Sequence, residues 1–302
     1  MTITGAGFGE VTEVKFGSTS AKITAISPTS ITALSPGGTG TVHVTVVTAL
    51  YASATSTADQ FACIGTPPEY GGCSKVAKGS HGKFATAACT SLYTTGTSSY
   101  EWFGGAPPQA KFTTKLKEKA VVTFETASKT KVVCKGETGT GEYTGTKTVG
   151  NAVDTFTGCE SQKYKQLQKS KCNTANHAEG ELVTSTLEGV LGWDSKPLKT
   201  VANDLYPVGH FGPLLEFSCA GVSVQVQGSV IVKVASGKML PLTKTETVTF
   251  ASSGAKQTPE RFEGGVKDVL ESSFGAGAFE QTGLKMTTIQ TSEERLETNW
   301  SV

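Results

Sequence analysis

The chain is poor in charge, in methionine and in long apolar runs. Charged residues are only 18% of its 302 positions and the net charge is +1. No basic stripe is present, so the counterion-release term that dominates nucleic-acid binding is missing, and nucleic acid is not expected as a partner. No apolar run approaches the ~20 residues that cross a bilayer as a helix, so no membrane insertion is expected. Met1-Thr2-Ile3 lacks the charged and apolar regions of a secretory leader. The sequence has no Cys-x-x-Cys and no Cys/His pair at zinc-ligand spacing. It has no Gly-x-Ser-x-Gly elbow and no glycine-rich segment with phosphate-loop spacing. Together these absences predict a protein that is not an enzyme and carries no cofactor and no metal.

What is present points to strands. Threonine and valine are abundant, glycine counts 35 residues, and methionine only 3, a balance that favours β structure and many turns. Val42, Val44 and Val46 alternate with Thr41, His43 and Thr45, the period-2 pattern of a half-buried strand. Ser27-Pro28-Thr29-Ser30 and Ser35-Pro36-Gly37-Gly38 are turn clusters. Further strand candidates are 120–126, 131–134, 141–147, 152–157, 180–189, 214–219, 222–234, 243–250 and 283–291. Val222 to Gln227 alternates cleanly, and Gly228 marks a bulge or a close backbone approach. Residues 266–271 are the best short helix candidate. The Pro/Gly stretch 64–72 reads as a linker between a first domain, 1–63, and a larger one, 73–302.

Several of these residues resemble a known family in order: Ile3-Thr4-Gly5-Ala6-Gly7-Phe8-Gly9, Val14 to Gly17, Ser27 to Ala33, Ser35 to Gly38, Gly40 to Val46, and Ala58 to Phe61. The region 3–61 resembles an IPT/TIG domain, an immunoglobulin-like β-sandwich. In bacteria such modules stand in secreted or cell-surface proteins as spacers and binding units and are not usually catalytic. The resemblance implies an all-β fold, a sandwich followed by a larger β domain. It also implies an extracellular or cell-surface location, with a glycan or a protein there as partner. The family normally has a strand and a Pro/Gly turn before Ile3, and a Pro-Gly-Gly hairpin where this chain has Thr48 to Ala52. The missing first strand would leave an open sheet edge and reads as a fragment or a late-begun gene model. Beyond residue 63, Pro68 to Gly71, Gly139 to Gly145, Phe156 to Glu160, Glu188 to Gly192 and Phe279 to Gly283 resemble a domain of unassigned function. That domain accompanies TIG modules in soil actinobacterial proteins, and the resemblance transfers no site.

The cysteines stand at 63, 73, 89, 134, 159, 172 and 219, and their spacing suits disulfides in an oxidising compartment. Cys73/Cys89 and Cys159/Cys172 each bracket a short polar segment, as a stapled hairpin would. Cys134/Cys219 then follows by elimination, with Cys63 unpaired. Six cysteines allow 15 connectivities, so order alone does not fix them.

Candidate ligand contacts are few. The aromatics Tyr100, Trp102 and Trp193 would form a sugar-stacking strip if exposed together, although core packing accounts for such rings as well. Of His43, His81, His177 and His210, only His177 lies near acids, in a loop with Glu179 and Glu181. Glu137, Glu142, Glu160, Glu179 and Glu181 could supply the carboxylate pair of a glycosidase, as could many sets of glutamates. A surface interaction module is thus the first reading, and a carbohydrate-active protein, either glycan-binding or hydrolytic, is the alternative.

Overall fold

The computed structural model describes residues 1–302 except 36–39, 64–67, 77–81, 83, 87–98, 105–109, 163–168, 196–199, 237–239 and 300–302. The described residues are all-β, with three 3₁₀ turns and no α-helix. Residues 2–63 form β1 (Thr2–Thr4), β2 (Val11–Phe16), β3 (Thr19–Ser27), β4 (Ser30–Leu34), β5 (Gly40–Thr48) and β6 (Gln60–Cys63). Their order is β1-β4-β3-β2-β5-β6. The start of β3 pairs with β2 and the rest with β4, with a register shift between Ile23 and Ala25. That change of partner lets one strand serve both layers of a sandwich. Val44 is buried with Val14, Phe16, Ile31 and Ala33, and Val42, Val46 and Phe61 pack against them, as the alternation predicts. Pro28 and Thr29 turn β3 into β4, whereas Pro36 to Gly38 lie outside the described residues. At the unusual Thr48–Ala52 segment, Thr48 N–H donates to the Tyr51 carbonyl at 2.7 Å and a Val47–Ala52 bridge closes the loop.

The remaining strands are β7 (Glu69–Lys75), β8 (Tyr100–Gly104), β9 (Lys111–Leu116), β10 (Val122–Thr126), β11 (Lys131–Cys134), β12 (Gly136–Tyr143) and β13 (Thr148–Thr157). They continue as β14 (Glu160–Ser161), β15 (Ser170–Asn173), β16 (Leu182–Val183), β17 (Leu187–Ser195), β18 (Thr200–Pro207), β19 (Leu215–Cys219) and β20 (Val222–Gln227). The last are β21 (Val230–Ser236), β22 (Leu240–Ser253), β23 (Lys256–Thr258), β24 (Leu270–Phe274) and β25 (Glu280–Asn299).

Antiparallel pairing closes these strands into two rings. The first runs β9-β12-β13-β17-β18-β21-β22-β25 and back to β9. The second runs β10-β11-β14-β15-β19-β20-β24-β25 and back to β10. Successive chain passes contribute one strand to each ring, and β25 runs through both without a break. The rings are therefore the two halves of one long barrel, and closure removes their free edges. β7 pairs with the end of β25, and β8 pairs with β7. Lys111, Thr113, Lys115, Lys285, Thr291 and Glu293 point outward and are exposed, so the outer wall there is polar. Among the described residues no helix is long and apolar enough to cross a membrane.

Three expectations are corrected. Residues 266–271 are not helical: after the turn at Gly264 the chain runs extended into β24, where Leu270 is buried opposite Thr282. Six residues are too few to repay helix nucleation against that pairing. Second, Glu69 to Gly72 belong to β7, with Tyr70 buried, so the stretch read as linker stops short of them; residues 64–67 lie outside the described residues.

The third correction concerns the disulfides, which are Cys134–Cys159 and Cys172–Cys219, in place of Cys159–Cys172 and Cys134–Cys219. Cys159 and Cys172 do face each other across the β14–β15 hairpin, where Cys172 N–H donates to the Cys159 carbonyl at 3.0 Å. Hydrogen-bonded positions hold their side chains farther apart than non-hydrogen-bonded ones. Each sulfur therefore bonds to the strand on its outer side, and Cys172 lies opposite Cys219 with Cα atoms 4.3 Å apart. Cys73 is disulfide-bonded, while Cys89 and the Cys63 side chain lie outside the described residues.

Gly228 is a close approach: it has a φ of +89°, and a Cβ there would lie 2.3 Å from the Val269 carbonyl oxygen. It splits the predicted strand 222–234 into β20 and β21, one for each ring.

The sandwich rests on the outer wall of the first ring. Lys22 of β3 reaches Asp204 of β18 at 3.4 Å and also pairs with Asp268. Asp268 accepts a hydrogen bond from the Ser229 hydroxyl. Burial raises the Asp204 carboxyl above its ordinary range, an effect that Lys22 opposes. Beside them His210 stacks on Tyr206 with ring centroids 3.5 Å apart. Burial, then the nearby Lys22 charge, push the His210 imidazole down to about 3, so it is neutral.

Candidate functional site

The two halves of the barrel are filled differently. The second ring is packed solid by Val122, Phe124, Val132, Leu215, Phe217, Val224 and Leu270 around the two disulfides. Phe124 and Phe156 meet edge to face with centroids 5.5 Å apart, a favoured aromatic geometry. The first ring encloses a cavity of about 60 Å³.

Register builds the polar wall of that cavity. Glu246 on β22 lies opposite Gln290 on β25, Gln290 opposite Thr114 on β9, Thr114 opposite Gly139 on β12, and Gly139 opposite Asp154 on β13. One row thus crosses five neighbouring strands at a single level. Glu137 stands two residues from Gly139 and therefore on the same face of β12. Gly139 is required here, since a Cβ would lie 2.1 Å from Asp154 Oδ1 and 2.4 Å from Thr114 Oγ1. The remaining wall is mainly apolar, formed by Leu187, Leu205 and Val232, with the Asn203 amide beside Leu205 on β18. Tyr70, Tyr143 and Phe112 cluster with Val149, Leu191 and Val201 at one side of the first ring.

Hydrogen bonds tie the row together but do not satisfy it. The Thr114 hydroxyl donates to Glu137 Oε1 at 2.5 Å, with Asp154 Oδ1 at 3.5 Å. The Gln290 amide donates to Tyr143 Oη at 2.8 Å and to Glu246 Oε1 at 3.2 Å. Tyr70 donates to Asn203 Oδ1 at 2.6 Å. Glu137 Oε2 and Glu246 Oε2 are buried without a partner, and Glu137 as a whole is only 2% exposed. Burial pushes Glu137 up to about 7, with the neighbouring Asp154 adding to the rise. Burial likewise pushes Asp154 up to about 6 and Glu246 up to about 7. It pushes the Tyr143 phenol up to about 12. No lysine, arginine or histidine is among the described residues lining the cavity.

The residues singled out in the sequence lie mostly elsewhere. Glu137 alone of the five glutamates lines the lumen. Glu142 points outward, where it accepts from Asn151 Nδ2 at 3.1 Å and faces Lys111 at 3.8 Å. Glu160 pairs with Lys169 at 3.5 Å, and Glu179 pairs with Lys171 at 3.0 Å on the surface. His177 meets Glu181 at 2.9 Å within its own loop. Trp193 is half-buried against the Tyr70/Tyr143 cluster, and its backbone N–H donates to Glu263 Oε1 at 3.2 Å. Tyr100 is half-buried on β8, a strand that does not neighbour β17, and the Trp102 side chain lies outside the described residues. Asp154, Glu246, Asn203 and Gln290 were missed. The available signal was phase: Asp154 shares the alternation of Ala152 and Phe156, so it points the same way as a core phenylalanine.

Among the described residues no group of three or more His, Cys, Asp and Glu is placed to hold a metal ion. No curated protein and no solved structure matches the chain. Residues 1–62 match the family model of the IPT/TIG domain, the immunoglobulin-like module that their order of strands and turns resembles.

Proposed function

We propose that this is a secreted or cell-surface protein that binds without catalysing, with residues 1–63 as a carrier module and the barrel as the ligand-binding unit. The glycan or protein partner expected at the cell surface would be met by the outer faces, and a small molecule by the lumen. One observation carries the reading: a cavity walled by buried carboxyl groups, in which Glu246 Oε2 has no donor and Glu137 meets only Thr114 and the neighbouring acid Asp154. Buried acceptors are normally satisfied, so such a cavity marks a place where a partner belongs. The disulfides support an oxidising location. The carbohydrate-hydrolase alternative finds less support, because Glu137 and Asp154 share a hydrogen bond. A glycosidase pair needs carboxyl groups about 5 Å or more apart.

The test is a ligand-detected NMR screen of small polar-headed compounds on the full chain and on Val232→Phe, which fills the lumen. Compounds whose signals respond only with the unfilled lumen are expected. Hits that persist unchanged in Val232→Phe would move the site elsewhere. Polysaccharide turnover lost in Glu137→Gln would overturn the non-catalytic part.

A further inference from the structure

Where the sandwich meets the first ring, one lysine stands between two acids. Lys22 projects from β3, and its ammonium group lies 3.4 Å from Asp204 Oδ2 on β18 and contacts Asp268 Oδ2 just ahead of β24. A bridge between the two domains needs only one carboxylate, so the second acid is surplus to an ion pair. That acid is Asp204, which is only 1% exposed and whose Oδ1 has no hydrogen-bond partner. Burial raises its carboxyl above the ordinary range, which makes it a stronger base for a nearby ammonium proton. The other ionisable groups there are His210, close enough to feel the Lys22 charge, and Tyr206 stacked on it.

The reacting groups are held by separate elements. The buried Ser229 hydroxyl donates to Asp268 Oδ1, which fixes the carboxyl with its other oxygen on Lys22. Asp268 N–H donates to the Glu260 backbone carbonyl at 2.9 Å, and Lys267 pairs with the Glu260 side chain at 3.5 Å. The segment that carries Asp268 is thereby pinned. An amine and a carboxyl fixed in contact react as an intramolecular pair. Burial penalises both charges of an ion pair, whereas an amide carries none.

We propose that Lys22 and Asp268 condense to an isopeptide bond, with Asp204 as the catalytic residue that moves the protons, so that sandwich and barrel are joined covalently. Asp204 takes a proton from the Lys22 ammonium, and the freed amine attacks Asp268 Cγ. The bond formed is Nζ–Cγ, and the bond broken is Cγ–Oδ2. Of the three ammonium protons one stays on the amide nitrogen. The other two pass through Asp204 to the departing oxygen, which leaves as water, and Asp204 ends as it began. The step needs no oxidant, reductant or co-reactant. It happens once per chain and is not turnover, so it stands apart from the binding role proposed for the lumen.

The experiment is intact-mass spectrometry of the full chain, unfolded and with its disulfides reduced. The expected mass is that of the sequence less one water molecule, and proteolysis should release a branched peptide joining Lys22 to Asp268. Lys22→Arg keeps the cation but cannot condense, and Asp268→Ala removes the acceptor, so both should show the full sequence mass. Asp204→Asn keeps the shape but not the base, and should lower the cross-linked fraction about tenfold or more with strand content by circular dichroism unchanged. A wild-type chain of full sequence mass would overturn the proposal, whether or not the variants fold. So would a water loss that persists in Lys22→Arg or maps to other residues. Complete cross-linking in Asp204→Asn would overturn the role of Asp204 and leave the bond.

Discussion

The two halves of the barrel share a strand count, an antiparallel meander and strand β25, yet one is filled and the other hollow. In the second ring the inward positions hold valine, leucine, phenylalanine and cystine. In the first ring the same phase of the strands carries Thr114, Glu137, Gly139, Asp154, Glu246 and Gln290 along one arc. The backbone is indifferent to this exchange. Closure by hydrogen bonds makes a barrel from either set, and the side chains decide whether its inside is a core or a site. The packed half can hold the shape while the other half carries buried, partly unsatisfied acids that a free-standing core would not tolerate.

The largest test of that division of labour removes the disulfides. They span 25 and 47 residues, and the chain-entropy model assigns them about 3.5 and about 4 kcal/mol. Urea denaturation of the wild type and of a Cys134→Ala/Cys159→Ala/Cys172→Ala/Cys219→Ala variant, which leaves the Cys73 disulfide in place, should show a loss of that order. A loss under about 1 kcal/mol would mean that the packed half is not pinned by its cystines.

Next in size is truncation of a matched pair of apolar residues. Phe124, 4% exposed in the packed half, should cost about 3–5 kcal/mol on change to alanine. Leu205 borders the cavity, has fewer neighbours to lose, and should cost less than about 2 kcal/mol on the same change. Equal losses would erase the contrast between the halves.

The smallest effect depends on pH. Glu137 holds its proton to about 7 in the folded protein, against an ordinary value of 4.5. Between those values the native state binds more protons than the unfolded chain, so stability falls as pH rises through that window. Glu137→Gln removes this loss. The variant should be more stable than wild type at pH 8 by about 1–2 kcal/mol, allowing for partial solvent screening, with little difference near pH 4. Thermal melts at the two pH values measure it, and a wild type that gains stability from pH 4 to pH 8 relative to the variant would reverse the sign.

Much of the fold was legible because period-2 patterns and turn residues are local. Lys131 to Cys134 is a strand over the whole of its predicted span, and Val42, Val44 and Val46 face the sandwich core. The site was not legible, because it is made by register. Glu246, Gln290, Thr114, Gly139 and Asp154 are scattered over some 180 positions and become neighbours only when five strands align. The disulfides failed for a related reason: the hairpin joining Cys159 and Cys172 was foreseeable, but not which of its cysteines would face outward. At 266–271, Val266, Val269 and Leu270 have helix-like spacing, and the pairing that overrides it comes from Thr282 and its neighbours in β25.

β25 also sets a timetable for synthesis. Residues 280–299 are the seam of both rings, pairing with β10 and β24 in one and with β9 and β22 in the other. A ribosome that has finished residue 270 has made almost every wall of the barrel, and the barrel is still an open sheet. The sandwich, complete by residue 63, can fold as it emerges, but the barrel must wait with its edges unpaired. That interval is when neighbouring chains can add strands to it. Nascent chains stalled just before and just after β25 should differ sharply in protease resistance of the barrel and hardly at all in that of the sandwich.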